Sequence, residues 1–149
     1  MICAFMLSSC TRSDTFLPDE IYGYKLSDKI TGEQAKEMVD QLHFREVSPS
    51  FNEIGFYRNE SGPLTVYVSR YSDSEQADSV LQKMSGKILQ DKQVFILGEY
   101  ITLQDQKLFR CFGLGQTHFI FTHGRYLIWM SVNTIKAMDI LEAYLKHTG

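Results

Sequence analysis

The sequence predicts an α+β fold, in which one antiparallel sheet carries three helices. Three observations predict it. Three segments join a helix-start signature to an apolar stripe of helical spacing, and six others alternate apolar and polar residues across short turn-rich breaks. The third observation is composition. The chain has 149 residues, 44% of them apolar, 13% aromatic and 22% charged, which suits one domain with its own core and excludes a disordered chain.

The elements follow in order. Residues 10–18 are polar at first and read as a linker, and residues 19–149 form the single globular domain. The first helix takes Thr31 as N-cap with Gln34 completing a capping box, and Ile30 and Ala35 act as a staple. Ala35, Met38, Val39 and Leu42 are its stripe. The second helix starts at Ser72 with Glu75 and runs through Ala77, Val80, Leu81, Met84 and Ile88. The third follows Asn133 or Thr134, carries Met138, Leu141 and Leu145, pairs Glu142 with Lys146, and ends at a Gly149 cap.

Between the helices, Ile54–Arg58 and Leu64–Tyr71 flank Asn59-Glu60-Ser61-Gly62-Pro63 as a hairpin. Val94–Leu103, Leu108–Leu114, Gln116–Thr122 and Arg125–Val132 make a four-stranded C-terminal meander. Its breaks fall at residues 104–107, at Gly115-Gln116 and at His123-Gly124. A hairpin followed by a helix thus occurs twice, giving two hairpin-containing units. The His123-Gly124 turn places Phe121 opposite Tyr126, Phe119 opposite Ile128, Ile120 opposite Leu127 and His118 opposite Trp129. Large apolar groups then occupy both faces of the meander, so the sheet is expected to be covered on both faces.

The opening residues bear on location. Met1 to Leu7 are uncharged and apolar, followed by Ser8, Ser9 and Cys10. Leu7-Ser8-Ser9-Cys10 resembles the lipobox of bacterial lipoproteins, in which small residues beside the cut follow an apolar stretch. The resemblance implies that residues 1–9 are a signal peptide, shortened because no Lys or Arg precedes the apolar stretch, with the true start upstream. It further implies that Cys10 carries the lipid and tethers the domain to a membrane facing the periplasm. Several acyl chains on one residue suffice for stable anchoring. Thr11 tilts sorting towards the outer membrane. With Cys3 removed and Cys10 lipidated, Cys111 is left alone, which excludes an intramolecular disulfide. The stretch from Gly55 to Met84 also resembles exported α+β domains in topology, with no functional residue carried across.

Candidate chemistry is sparse. Cys111 and His118 share one face of the meander, diagonally across neighbouring strands, where a thiol and an imidazole can make a nucleophile–base pair. Phe109, Phe112 and Leu114 surround the cysteine with apolar groups that disfavour its thiolate. His43, His118, His123 and His147 lack metal-ligand spacing, so no metal is expected, and His43 and His147 suit helix ends. Gly113-Leu114-Gly115 lacks the third glycine and the strand-to-helix setting of a dinucleotide site, so no cofactor is expected either. Fifteen basic against 18 acidic residues give no field for nucleic acid. Tyr57, Tyr67, Tyr71 and Trp129 are candidates for a binding surface, since such rings combine area with a hydrogen-bonding edge.

Two functions remain open. One is a membrane-tethered, non-enzymatic binding or assembly module for an envelope protein, lipid or glycan. The other is a small thiol-dependent hydrolase using Cys111 and His118.

Overall fold

A computed structural model describes residues 16–42, 49 and 51–149. The lipobox, Cys3, Cys10 and His43 lie outside the described residues. In chain order the elements are β1 (Glu20–Ile21), β2 (Tyr24–Thr31), α1 (Gly32–Leu42), β3 (Phe51–Asn59), β4 (Gly62–Arg70) and α2 (Ser74–Gln90). They continue with β5 (Ile96–Leu103), β6 (Gln106–Gly113), β7 (Gln116–His123), β8 (Tyr126–Val132), a 3-10 turn at Thr134–Lys136 and α3 (Ala137–Thr148). The strands form an open eight-stranded sheet in the order β1-β2-β3-β4-β8-β7-β6-β5, with every neighbouring pair antiparallel. The α+β class, the three helices and the C-terminal meander are as the sequence predicts.

The start of the domain differs from expectation. Residues 20–31 form two strands where no strand was expected. Tyr24 and Leu26 alternate properly, but a bulge between Leu26 and Asp28 shifts the register before Ile30, and strong charge hides the rest. Phe16 to Pro18, assigned to the linker, belong to the core. Leu17 is buried, the Tyr57 hydroxyl donates to the Pro18 carbonyl at 2.9 Å, and that of Tyr144 donates to the Phe16 carbonyl at 2.7 Å. The packed domain therefore includes Phe16 to Pro18.

The caps and turns also move. Helix α2 is capped by Asp73, not Ser72: its carboxylate accepts from the Gln76 backbone N–H at 2.8 Å. The Gln76 side-chain oxygen accepts in return from the Ser72 N–H at 3.1 Å, one residue before the cap, so Asp73 and Gln76 rather than Ser72 and Glu75 tie down the start of the helix. Asn133 caps the 3-10 turn, accepting from the Ile135 N–H at 2.9 Å, and α3 starts only at Ala137. At its far end the expected features are present, with Gly149 N–H bonded to the Leu145 carbonyl and Lys146 at 3.3 Å from Glu142.

Every hairpin in the meander closes with two residues between paired ends. Leu103 pairs with Gln106, Gly113 with Gln116 and His123 with Tyr126, so Gly115-Gln116 and His123-Gly124 are not the turn residues. At the first two turns both linking residues have positive φ, namely Gln104 and Asp105, then Leu114 and Gly115. This is the geometry that matches the twist of the flanking strands. The β3–β4 turn is likewise Glu60-Ser61, and Pro63 lies inside β4 opposite Arg58. Each expected β7–β8 pair slips by two residues. Phe121 faces Ile128, Ile120 faces Trp129, Phe119 faces Met130 and His118 faces Ser131. A slip of two keeps every side chain on its expected face, because strand side chains repeat with period two.

Alternate residues of the central strands divide between two main clusters. Phe119, Phe121, Met130 and Val132 pack with Ile140, Leu141 and Tyr144 of α3 and with Leu17, Ile21 and Tyr24. Phe109, Cys111, Ile120 and Trp129 pack with Ala77, Leu81, Met84 and Ile88 of α2. A smaller cluster joins Ala35 and Val39 of α1 to Ile54. A buried polar pair lies inside: Ser69 Oγ donates to Asn52 Oδ1 at 2.7 Å, and Asn52 donates to the Pro49 carbonyl.

Candidate functional site

The strands bring Cys111 and His118 closer than expected, directly opposite each other on β6 and β7. Hydrogen bonding then takes His118 away from the thiol. The Trp129 indole, which can only donate, donates Nε1–H to His118 Nδ1 at 3.1 Å. This makes Nδ1 the acceptor and puts the ring proton on Nε2, which donates to the Gly113 carbonyl at 2.9 Å. Ser131 Oγ also lies 3.0 Å from Nδ1 and donates to it. Both ring nitrogens are therefore engaged, and burial lowers the imidazole pKa below its usual value. Cys111 is buried completely among Phe109, Ile120 and Trp129, and burial pushes its thiol up to about 12. A nucleophile–base pair needs a thiolate and a free imidazole nitrogen facing it. This geometry provides neither.

The expected binding surface is interior. Tyr57 and Trp129 are fully buried, Tyr71 is 5% exposed, and Tyr67 is half-buried between the α1 and α2 clusters. Burial, and secondarily Asp19, holds the Tyr57 hydroxyl far above its ordinary range, and burial alone raises Tyr67. Tyr57, Tyr67 and Trp129 fill the core because the strands that carry them, β3, β4 and β8, lie inside the sheet, and Tyr71 follows directly on the end of β4. Their richness in the sequence records core volume.

An open site lies elsewhere, at one end of the sheet. A shallow groove of about 430 Å³ is lined by Gln93, Val94, Ile96, Phe112, Gly113, Gly115, Gln116 and Thr134. The start of β5, the β6–β7 turn and the 3-10 turn bound it. Register fixes its floor, since Ile96 pairs with Phe112 and Gly113 with Gln116, and Thr117 on β7 donates to Thr134 at 3.0 Å. One wall packs on a glycine of necessity. A Cβ at Gly113 would stand 2.5 Å from the Val94 carbonyl oxygen and 2.7 Å from the Phe95 ring.

Two of the groove's lining residues are apolar and in solvent, Val94 at 51% and Ile96 at 48% exposure. Their chain neighbours continue the exposed apolar surface: Leu97 is 72% exposed, Leu114, beside the lining Gly113 and Gly115, 74%, and Ile135, beside the lining Thr134, 87%. Leu97 and Leu114 also adopt left-handed backbone, with φ of 54° and 53°. Such conformations cost a leucine about 1 kcal/mol, so a bulge and a tight turn here hold large apolar side chains outward. No lining residue of the groove carries a charge; amides and one hydroxyl supply its polarity. The sequence signal for it is the leucine set between two glycines, Gly113-Leu114-Gly115, together with Val94, Ile96 and Leu97 at a strand start.

The floor of the groove is tied to the buried His118. Gly113, a lining residue, holds the His118 Nε2–H, and Phe95, next to Val94, sets its ring edge-on to His118 at 5.0 Å and tilted to Trp129 at 5.6 Å. Among the described residues no group of three His, Cys, Asp or Glu is placed to hold a metal ion, and no helix is long and apolar enough to cross a membrane.

No family model matches the sequence, and no curated protein matches it. Among solved structures, the fold is similar to the crystal structure of a GTP binding regulator from Thermotoga maritima, with a TM-score of 0.53 and 18% identity, covering 87% of this chain and 77% of that one. At that identity the likeness is one of fold: an α+β domain built on a single open antiparallel sheet.

Proposed function

We propose that this chain is a non-enzymatic binding module, tethered to a bacterial envelope membrane through lipid on Cys10 and facing the periplasm. Its binding site is the groove beside Gly113. The single observation that carries the reading is the contrast between the two candidate sites. The thiol is buried and the imidazole buried and engaged, whereas the groove presents Val94 and Ile96 to solvent, with Leu114 exposed beside it. Exposed apolar rims around a concavity are surfaces that partners cover. In this reading the sheet is two hairpin-containing halves meeting at the β4–β8 pair, with α1 and α2 on one face and α3 on the other. The groove falls at the end of the second half.

The structural neighbour is described as a GTP binding regulator, which suits a binding role. The groove itself suits a neutral partner: a triphosphate requires cations or a cradle of backbone N–H groups, and the lining supplies no Lys or Arg. An envelope protein, a glycan or a lipid tail meets that chemistry.

Two measurements test the reading. Mass spectrometry of the membrane fraction is expected to find a chain that begins at Cys10 and carries the mass of a diacylglyceryl and an N-acyl group. A soluble chain with residues 1–9 intact would overturn the tether. Replacing Cys111 by Ala is expected to leave binding unchanged, and loss of binding in a folded C111A protein would favour the thiol hydrolase.

A further inference from the structure

The groove shares its floor and one wall with a single hydrogen-bond hub, and the hub has a polarity that one proton reverses. His118 Nδ1 has no hydrogen; it accepts from Trp129 and from Ser131. A protonated ring donates from both nitrogens. Nε2 keeps its bond to Gly113 O. Ser131 can rotate its hydroxyl and accept from the new Nδ1–H, because a hydroxyl serves either role. Trp129 cannot: its N–H would face another N–H. The indole, buried to 1% exposure, must then move, and it touches Phe95, the residue beside the Val94 wall.

We propose that His118 is an acid-operated latch, in which uptake of one proton at Nδ1 expels the Trp129 indole N–H and the displaced indole shifts Phe95 and the Val94 wall of the groove. The surroundings leave the proton uncompensated. From β6 the facing residues are Cys111, whose thiol is neutral, and Gly113; from β8 they are Trp129 and Ser131; from the approach to β5 it is Phe95. The residues that α2 buries are Ala77, Leu81, Met84, Ser85 and Ile88, none of them charged. Among the described residues no carboxylate contacts the ring to hold the charge. The change is therefore steep in consequence: the ring stays fixed by Gly113 and Ser131, and the indole is what yields.

The latch rests on the groove reading for its biological consequence, but its test reads the coupling directly. Trp129 is the chain's one tryptophan, so an ¹⁵N-labelled full chain gives one indole N–H resonance. Titrated from about pH 7.5 to 4.5, that resonance is expected to shift with a midpoint below 6.5, and the amides of Val94, Phe95 and Gly113 to shift with the same midpoint. The amides of Ile140 and Tyr144, packed on the other cluster, report that the fold persists. In Ser131→Ala the protonated ring loses its acceptor, and the midpoint falls by about half to one pH unit. Three outcomes overturn the latch: an indole that does not titrate, an indole that titrates while the Val94 and Gly113 amides stay still, or a midpoint unmoved in S131A. Photocrosslinking at Ile96 at neutral pH reads occupancy of the groove separately, so failure of the latch and failure of the groove reading are distinguishable.

Discussion

Replacing Gly113 by Ala tests how the groove is built. The backbone of Gly113 has no positive φ, so alanine adopts it without torsional strain. The difficulty is contact. The new methyl stands 2.5 Å from the Val94 carbonyl oxygen and 2.7 Å from Phe95 Cδ1, whereas a carbon and a carbonyl oxygen settle at about 3.3 Å. The Val94–Phe95 segment must retreat by roughly 0.8 Å, and its neighbour in the way is backbone, which cannot rotate aside. Overpacking of this kind costs about 1–3 kcal/mol, and the stiffer unfolded chain offsets about 0.4–1 kcal/mol. The net loss of about 1–2 kcal/mol corresponds to a fall in Tm of roughly 2–8 °C. Gly86→Ala is the internal control. It lies in the middle of α2 with open space around its Cβ position, so it gains about 0.5–1 kcal/mol of helix stability. Thermal melts followed by circular dichroism are expected to place G113A below wild type and G86A above it. A G113A protein that melts with the wild type, with unshifted Val94 and Phe95 amides, would refute the packing of this wall.

Four further outcomes follow from the same geometry. Tyr57→Phe removes the donor to the buried Pro18 carbonyl and is expected to cost about 1–3 kcal/mol in urea denaturation; an unchanged midpoint would remove Phe16–Pro18 from the cooperative core. Cys111, with its thiol pushed up to about 12 by burial, is expected to react with iodoacetamide only at the rate of unfolding, so fast native labelling at neutral pH contradicts its placement. Because burial lowers the folded pKa of His118, the unfolded chain takes up a proton near pH 6.5 that the native chain refuses. Its contribution to stability is thus complete above 6.5 and declines as pH falls towards the folded value, which urea titrations at about pH 7.5 and 5.5 measure as a lower midpoint in acid; His118→Gln flattens that dependence. Asp73→Ala removes the α2 cap and is expected to cost about 1 kcal/mol in the same assay, whereas Ser72→Ala costs less if Asp73 is the cap.

How much of this was legible in the sequence depends on the kind of signal each residue leaves. Helix stripes such as Ala77-Leu81-Met84-Ile88 survive because packing selects their spacing, so the existence of all three helices was readable. Their ends were not: Ser72 and Asp73 are both good caps, and only the reach of Gln76 decides between them. Strand parity was readable for β6, β7 and β8 because apolar alternation is strict there, yet the register slipped by two, since Gly124 fits either turn. β2 is hidden because a bulge breaks its alternation and because β1 pairs only with Tyr24 and Lys25, leaving the stretch with Asp28 and Lys29 without a neighbour on that side. The aromatic residues misled in the opposite sense. Tyr57, Tyr67 and Trp129 bear polar edges suited to a surface, but strand order places them inside the sheet, and order is a tertiary property. The groove had only a faint trace, since exposed Val94, Ile96 and Leu114 look in sequence like ordinary strand residues.

The central claim is that the groove beside Gly113 receives a partner while the buried Cys111–His118 pair stays silent. Site-specific photocrosslinking in intact cells decides this, with the reactive side chain placed at Ile96, at Leu114, or at exposed Lys25 on β2, at the opposite end of the strand order. One discrete adduct is expected at Ile96 and Leu114 and none at Lys25. Equal labelling at all three positions, or none at the groove, would contradict it.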